Sequence, residues 1–307
     1  MNKELTTLIS DIGGTNCRIS LFTKEDGIHK ERKLKISKFN SLENLFSEYL
    51  KLENIPSPDQ GILGVAAPVV GDKVKFINVN LEFSQKKLKN KFFKESLIVM
   101  NDLELQALSI SKLNKEDMKI FGDKDSLSKK SKILIRPGTG LGLSGLIAGN
   151  AIATEAGHLN IPQETEELTY LSSRFSQIYK RSITFEDLLS GKGILFIHKT
   201  LSGKELINRT SEEILLDSFD NYCVETKRIF TYTLALFCRY AALMWGAKGG
   251  VYLAGSIVNT IFQEVDMVKF REVFEDSTTM KDLLLACPLV HVKSKNLGFK
   301  GALRLLE

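Results

Sequence analysis

Leu8-Ile9-Ser10-Asp11-Ile12-Gly13-Gly14-Thr15-Asn16-Cys17-Arg18-Ile19-Ser20-Leu21-Phe22 reads as an apolar strand, a tight Asp-x-Gly-Gly turn and a second, alternating strand: a β-hairpin. The same unit returns near the middle of the chain. Ile133-Leu134-Ile135 passes through Gly138-Thr139-Gly140-Leu141-Gly142 into Ser144 to Ile147, and Gly149-Asn150 turns that strand back into Ala151 to Thr154. Leu8 and Leu134 stand 126 positions apart. Two strand-glycine-strand units, each followed by helical sequence, predict a duplicated α/β architecture with one phosphate-directed turn in each half.

Between the two units, Gly61 to Val70 reads as an apolar strand ending at Pro68, and Leu97 to Met100 as another with Asn101-Asp102 at its C-terminal edge. Leu103 to Leu113 turns helical, and the charged, lysine-rich stretch Asn114 to Lys132 reads as an exposed connection, where the domain boundary is drawn. Asp220 to Gly246 has helical periodicity, Gly249-Gly250 breaks it, and Val251 to Ala254 forms a short buried strand ended by Gly255-Ser256. In open α/β sheets such strand ends line the ligand crevice.

Composition bounds the alternatives. The 307 residues, 43% hydrophobic and 26% charged, describe a soluble globular protein of about two domains. Its 42 Lys and Arg against 37 Asp and Glu leave a charge of only +5, with the lysines scattered rather than gathered into a basic arm, so nucleic acid is not an expected partner. The most apolar stretch, Phe230 to Trp245, is interrupted by Arg239 and falls short of the roughly 20 apolar residues of a membrane span. No membrane partner is expected, and the first residues lack the apolar core of a signal peptide, which predicts a cytoplasmic protein. Cys17, Cys223, Cys238 and Cys287 form no C-x-x-C pair, so they read as buried thiols rather than a zinc site or disulfide framework.

Gly140-x-Gly142-x-x-Gly145 formally matches a dinucleotide fingerprint. The residues after it read as strand, Gly-Asn turn, strand, whereas that fingerprint needs a helix to present its positive end to pyrophosphate. The turn can still bind phosphate, because without Cβ atoms its backbone N–H groups can converge on an anion. Asp11-x-Gly13-Gly14-Thr15 offers a second such turn and adds a carboxylate, a combination that suits a magnesium nucleotide. No Walker A or protein-kinase motif occurs. Asp102 is placed as the carboxylate that phosphoryl transfer to an alcohol requires, although a helix-capping aspartate would read the same way. Glu155-Ala156-Gly157-His158 and Glu186 supply carboxylates and an imidazole that suit a polyol through charge-assisted hydrogen bonds. A structural histidine is the plain alternative for His158, and no second histidine stands at zinc-ligand spacing.

The ordered set Asp11-Ile12-Gly13-Gly14-Thr15-Asn16, Ala67-Pro68-Val69 with Asn78 and Phe83-Ser84, Asn101-Asp102, Gly138 to Gly142, Glu155-x-Gly157-His158, Leu189-Ser190-Gly191-x-Gly193 and Gly250 to Gly255 resembles the bacterial glucokinase family. The resemblance extends to Gly298-x-x-Gly301-Ala302 and so covers nearly the whole chain. It implies a hexokinase/actin-like (ribonuclease H-like) α/β fold with two domains around an active-site cleft. On that pattern residues 1–113 with about 294–307 make the small domain and 114–293 the large one. It implies ATP-dependent phosphorylation of the 6-hydroxyl of glucose, with Asp102 as general base and Asn78, Asn101, Glu155, His158 and Glu186 holding the sugar. Asp11, Gly13, Gly14 and Thr15 would form the first phosphate turn, Asp11 meeting Mg2+ directly or through water. Gly138, Thr139, Gly140 and Gly142 would form the second, and Ala254-Gly255 would approach the adenosine. A homodimer is the implied assembly. Several positions depart from the family pattern: Leu81 replaces an aromatic, Arg136-Pro137 a small pair, Ala156 a glycine, Lys192 a proline and Ser256 a glycine. Leu81 and Lys192 leave another hexose open as the substrate. A non-catalytic sugar or nucleotide sensor on the same fold is the other alternative, and the retained Asp11 and Asp102 argue against it.

Overall fold

Strand β1 (Thr7–Ile12) is buried at five of its six positions, Thr7 and Ser10 included, the burial of a strand covered on both faces. It heads a computed structural model that describes residues 5–77, 79–127, 131–203 and 209–307. The chain divides into two units, Met1–Lys112 with Asn296–Glu307, and Leu113–Lys295.

In the first unit β1 forms an antiparallel hairpin with β2 (Asn16–Thr23), which pairs in turn with β3 (Gly27–Lys35). On its other side β1 runs parallel to β4 (Gln60–Val65), and β4 runs parallel to β7 (Ser96–Asn101). A separate two-stranded ladder joins β5 (Lys73–Lys75) to β6 (Glu82–Ser84). Helix α1 (Leu42–Leu52) starts where the Ser41 side chain accepts a hydrogen bond from the Asn44 N–H, and buries Leu42, Leu45, Phe46 and Tyr49 at i, i+3, i+4 and i+7. With Phe92 of α2 (Gln85–Phe92) and with Phe93 these residues build the core on one face of the sheet. On the other face, Leu105 of α3 (Asp102–Leu108) meets Phe299 and Ala302 of the last helix of the chain, Leu297–Leu305, over Ile9 and Ile62.

The second unit repeats this sheet. Strand β9 (Lys132–Pro137) turns antiparallel into β10 (Leu141–Ile147) and then β11 (Asn150–Thr154), while β12 (Val251–Leu253) and β13 (Leu289–Val292) continue in parallel on the other side of β9. The order β11-β10-β9-β12-β13 matches β3-β2-β1-β4-β7 strand for strand. Registers agree as well, since Ile9 pairs with Ile62 of β4 and Ile135, 126 positions later, pairs with Leu253 of β12. Helices α4 (Glu166–Tyr179), α5 (Phe185–Leu188), α6 (Gly191–Ser202), α7 (Ser211–Leu216), α8 (Asn221–Trp245), α9 (Ser256–Ile261), α10 (Met267–Glu275) and α11 (Lys281–Leu285) complete this unit. The final helix, Leu297–Leu305, is α12.

Helix α8 is the element that carries the apolar run, capped by Asp220 at its start and by Gly246 at φ +53 at its end. Arg239 is buried within it, held by Glu164 Oε2 at 2.6 Å and by the Asp276 carbonyl oxygen at 2.6 Å, which is how a charge survives in an apolar helix. Among the described residues no helix is long and apolar enough to cross a membrane. All four cysteines are buried.

Three boundaries differ from the sequence expectation. Strand β4 stops at Val65 rather than at Pro68, because the Ala67 N–H bonds back to the Val65 carbonyl oxygen and Pro68 has no N–H to extend a ladder. The helical stretch after Asp102 is α3 to Leu108 followed by a 3-10 turn over Ser109–Lys112. The lysine-rich stretch 114–132 is not merely a connection. Met118–Phe121 forms β8, an antiparallel edge strand on β13, which points Lys119 to solvent while Met118 and Ile120 are half-buried.

Gly301 sets how closely α12 lies on α3, since a Cβ there would overlap the Leu105 carbonyl oxygen. In an unhindered helix Gly→Ala gains up to about 1 kcal/mol. Here the overlap should win, and Gly301→Ala should destabilise the protein by about 1–3 kcal/mol, the cost of overpacking. A lowered urea midpoint checks this, and a raised midpoint contradicts the close packing.

Candidate active site

Asp11 is the fifth residue of β1, and the parallel register aligns it with Gly64 of β4 and, through Gly64, with Met100 of β7. The C-terminal ends of three strands thus bring Asp11 and Asn101-Asp102 to one edge of the first sheet. Gly13 and Gly14 follow Ile12, the last residue of β1, with the Gly13 N–H donating to the Asn16 carbonyl at 3.0 Å to close the hairpin turn, and Thr15 is exposed at its tip.

Asn101 ends β7 and caps α3. Its Oδ1 accepts from the Leu103 N–H at 2.9 Å, Glu104 Oε2 reaches back to the Asn101 N–H at 3.1 Å, and its Nδ2 donates to the Ala67 carbonyl at 3.4 Å. That capping box fixes the first turn of α3 and, with it, Asp102, whose half-buried carboxylate accepts from the Leu103 N–H at 3.0 Å. Helix α3 can start against the sheet because residue 64 is glycine: a Cβ there would stand 2.8 Å from Leu105 Cδ2 and 3.3 Å from the Asp102 Cα. One turn beyond Asp102, the buried Gln106 donates from Nε2 to Asp11 Oδ2 at 3.4 Å. Gly298 of α12 clears the remaining space, since a Cβ there would approach Asp11 Oδ2 to 2.8 Å. Beside the first turn, Gly14, Thr15, Ile36, Phe39, Asn40 and Leu81 line a cavity of about 510 Å³. Asn78 lies outside the described residues.

In the second unit the turn between β9 and β10 is built from Gly138, Thr139 and Gly140, with the Gly138 N–H donating to the Gly140 carbonyl at 2.7 Å. Glu186 of α5 accepts from the Leu141 N–H at 2.9 Å, and Gly140 leaves room for that carboxylate, because a Cβ there would lie 2.5 Å from Glu186 Oε2. Ser190 caps α6 by accepting from the Gly193 N–H, and the Gly191 N–H donates to the Gly138 carbonyl at 2.9 Å, so the start of α6 is tied to the turn. Gly255 lies across from it at φ +106, a conformation glycine favours, with a would-be Cβ 3.1 Å from the Pro137 carbonyl oxygen. The Ala254 N–H donates to the Ile135 carbonyl at 3.1 Å. Glu155 precedes a 3-10 turn, Ala156–His158, and its Oε2 stands 3.7 Å from His158 Nε2, both side chains being exposed. Gly157 seats that turn directly on the Leu141 carbonyl, and the Phe185 N–H bonded to the Leu159 carbonyl at 2.9 Å brings the same segment to the start of α5.

The structure therefore gathers Asp11, Gly13, Gly14, Asn101 and Asp102 at the edge of the first sheet. It gathers Gly138, Thr139, Gly140, Gly142, Glu155, His158, Glu186, Ala254 and Gly255 around the corresponding turn of the second. Gln106 escaped the sequence reading, although its place four residues after Asp102 sets it on the same helix face. Glu186→Ala should release the Leu141 amide. A hydrogen bond to a charged acceptor contributes about 1.5–3 kcal/mol, so exchange of that amide should quicken at least tenfold, and unchanged protection would show that the bond is not made.

The family model described as Glucokinase matches residues 8–307. A glucokinase of Nitrobacter hamburgensis is 32% identical over 319 residues, covering 99% of this chain and 99% of its own. Among solved structures, a glucokinase from an Antarctic psychrotroph superimposes with a TM-score of 0.82 at 24% identity, covering 98% of both chains. A ROK family glucokinase from Streptomyces griseus, solved with glucose and AMPPNP, gives 0.70 at 15% identity over 98% of each chain. These likenesses place the two repeated sheets in the actin-like ATPase fold. By the extent of the family match, the chain belongs to the glucokinase family of sugar-phosphorylating enzymes.

Proposed function

We propose that the protein transfers the γ-phosphoryl group of ATP to the 6-hydroxyl of glucose, with Asp102 as the general base. The observation that carries this reading is the seat of Asp102: a carboxylate fixed by a capping box at the head of α3, at the same strand edge as Asp11 and the first glycine turn. Asp102 accepts the hydroxyl proton as the sugar oxygen bonds to the γ-phosphorus, and the bond to the β,γ-bridging oxygen breaks to release ADP. Asn78, Asn101, Glu155, His158 and Glu186 hold the sugar hydroxyls. The turns at Gly13 to Thr15 and at Gly138 to Gly142 offer backbone N–H groups to the phosphates, and Ala254-Gly255 meets the adenosine.

Asp11 fits a magnesium ion, held directly or through water. It offers hard carboxylate oxygens, and the missing Cβ of Gly298 keeps the space beside Oδ2 clear. Bound there, magnesium would neutralise the charge that develops on the phosphate oxygens. Gln106 orients Asp11 for that role through its 3.4 Å bond to Oδ2.

Asp102→Asn keeps the shape and removes proton acceptance. Turnover in a coupled assay with glucose and ATP should fall by roughly 10²- to 10⁴-fold. Glucose binding measured by calorimetry should be largely retained. Near-normal turnover would remove Asp102 from the role of base.

A further inference from the structure

Away from the proposed kinase site, His198, Asp220 and Cys223 converge in the second unit from two helices. His198 lies in the second half of α6, Asp220 is the N-cap of α8, and Cys223 sits in its first turn. One potential donor atom from each lies within 4.8 Å of the other two. His198 is only 5% exposed, and neither of its ring nitrogens has a hydrogen-bond partner among the described residues. A buried imidazole with both nitrogens unpaired forfeits the hydrogen bonds that water would supply, a cost that a ligand would relieve.

We propose that His198, Asp220 and Cys223 bind a zinc ion. The donor set suits that metal: imidazole nitrogen, carboxylate oxygen and thiolate sulfur are its three protein ligand types, and three protein ligands with a water complete a tetrahedral shell. The half-buried Asp220 provides the side from which water enters, while Cys223 is fully buried. Charges balance as well, since one thiolate and one carboxylate match Zn²⁺ with a neutral imidazole. Zinc takes a neutral imidazole and a thiolate, so binding would displace the proton of the Cys223 thiol to solvent.

The surrounding groups support Asp220 as a ligand. The Tyr222 N–H donates to its Oδ1 at 2.8 Å, and Arg209 Nη1 donates to its Oδ2 at 3.1 Å. The Cys223 N–H also donates to this carboxylate, and three donors leave one of its four lone-pair sites for a metal. Arg209 is also paired with Asp217, so its positive charge has a second counter-ion beside the site. Such outer contacts orient a ligating carboxylate. Bound zinc would tie the later part of α6 to the start of α8. Paired-cysteine spacing could not signal this set, whose histidine precedes its cysteine by 25 positions on another helix.

The test is titration of the full chain, stripped with a chelator and kept in excess magnesium, with zinc and with cobalt(II) as a spectroscopic stand-in. The proposal expects one equivalent of zinc per chain, release of one proton, and a thiolate-to-cobalt charge-transfer band. Cys223→Ser should abolish the band, and Asp220→Asn, which retains a good helix cap, should weaken zinc binding at least about tenfold while keeping the wild-type circular dichroism. A wild-type cobalt complex without a thiolate band would overturn the site. So would zinc affinity unchanged in both Asp220→Asn and His198→Gln.

Discussion

The close seating of α3 on β4 is the constraint from which the first half of the site follows. It is permitted by two absent side chains, at Gly64 beneath the helix and at Gly301 where α12 crosses it. With α3 held there, the capping box at Asn101 has one direction in which to present Asp102, and Gln106 falls within reach of Asp11. The glycines forgo packing area and cost conformational entropy. That loss is offset by a helix start placed against strand ends, where a carboxylate can act rather than pack.

Duplication of the sheet delivers two glycine turns to corresponding strand ends, and the two have diverged in charge. In the first, Asp11 belongs to the strand itself. The position 126 residues later is Pro137, and the second turn instead receives its carboxylate from α5, through the bond between Glu186 and the Leu141 N–H. A carboxylate on a strand end beside an open space suits a cation, whereas one that accepts a backbone N–H fixes the shape of a turn. Corresponding strand ends of the two sheets thus carry their carboxylates in different ways.

Much of this was legible in the chain. Hydrophobic runs broken by Asp-x-Gly-Gly and Gly-x-Gly-x-Gly located both hairpins, and their spacing revealed the repeat, because strand period and turn chemistry are local properties. Asn101-Asp102 could be placed at a strand edge for the same reason. Features set by tertiary contacts were hidden. The edge strand Met118–Phe121 is short and set between charged residues, so its pairing with β13 is visible only once that partner is in place. The end of β4 at Val65 depends on backbone bonds beyond the strand rather than on its apolar content. Helical spacing sets Gln106 on the face of Asp102, but its contact with Asp11, like the His198, Asp220 and Cys223 cluster, is made by packing between elements, for which no spacing rule exists.

As the proposed general base, Asp102 has to face the hydroxyl that is phosphorylated. A crystal structure of the chain with glucose and a non-hydrolysable ATP analogue tests it most directly. An Asp102 carboxylate oxygen should lie within hydrogen-bonding distance, roughly 2.6–3.2 Å, of the sugar's 6-hydroxyl. A bound sugar whose 6-hydroxyl is turned away from Asp102 and toward another acceptor would contradict it.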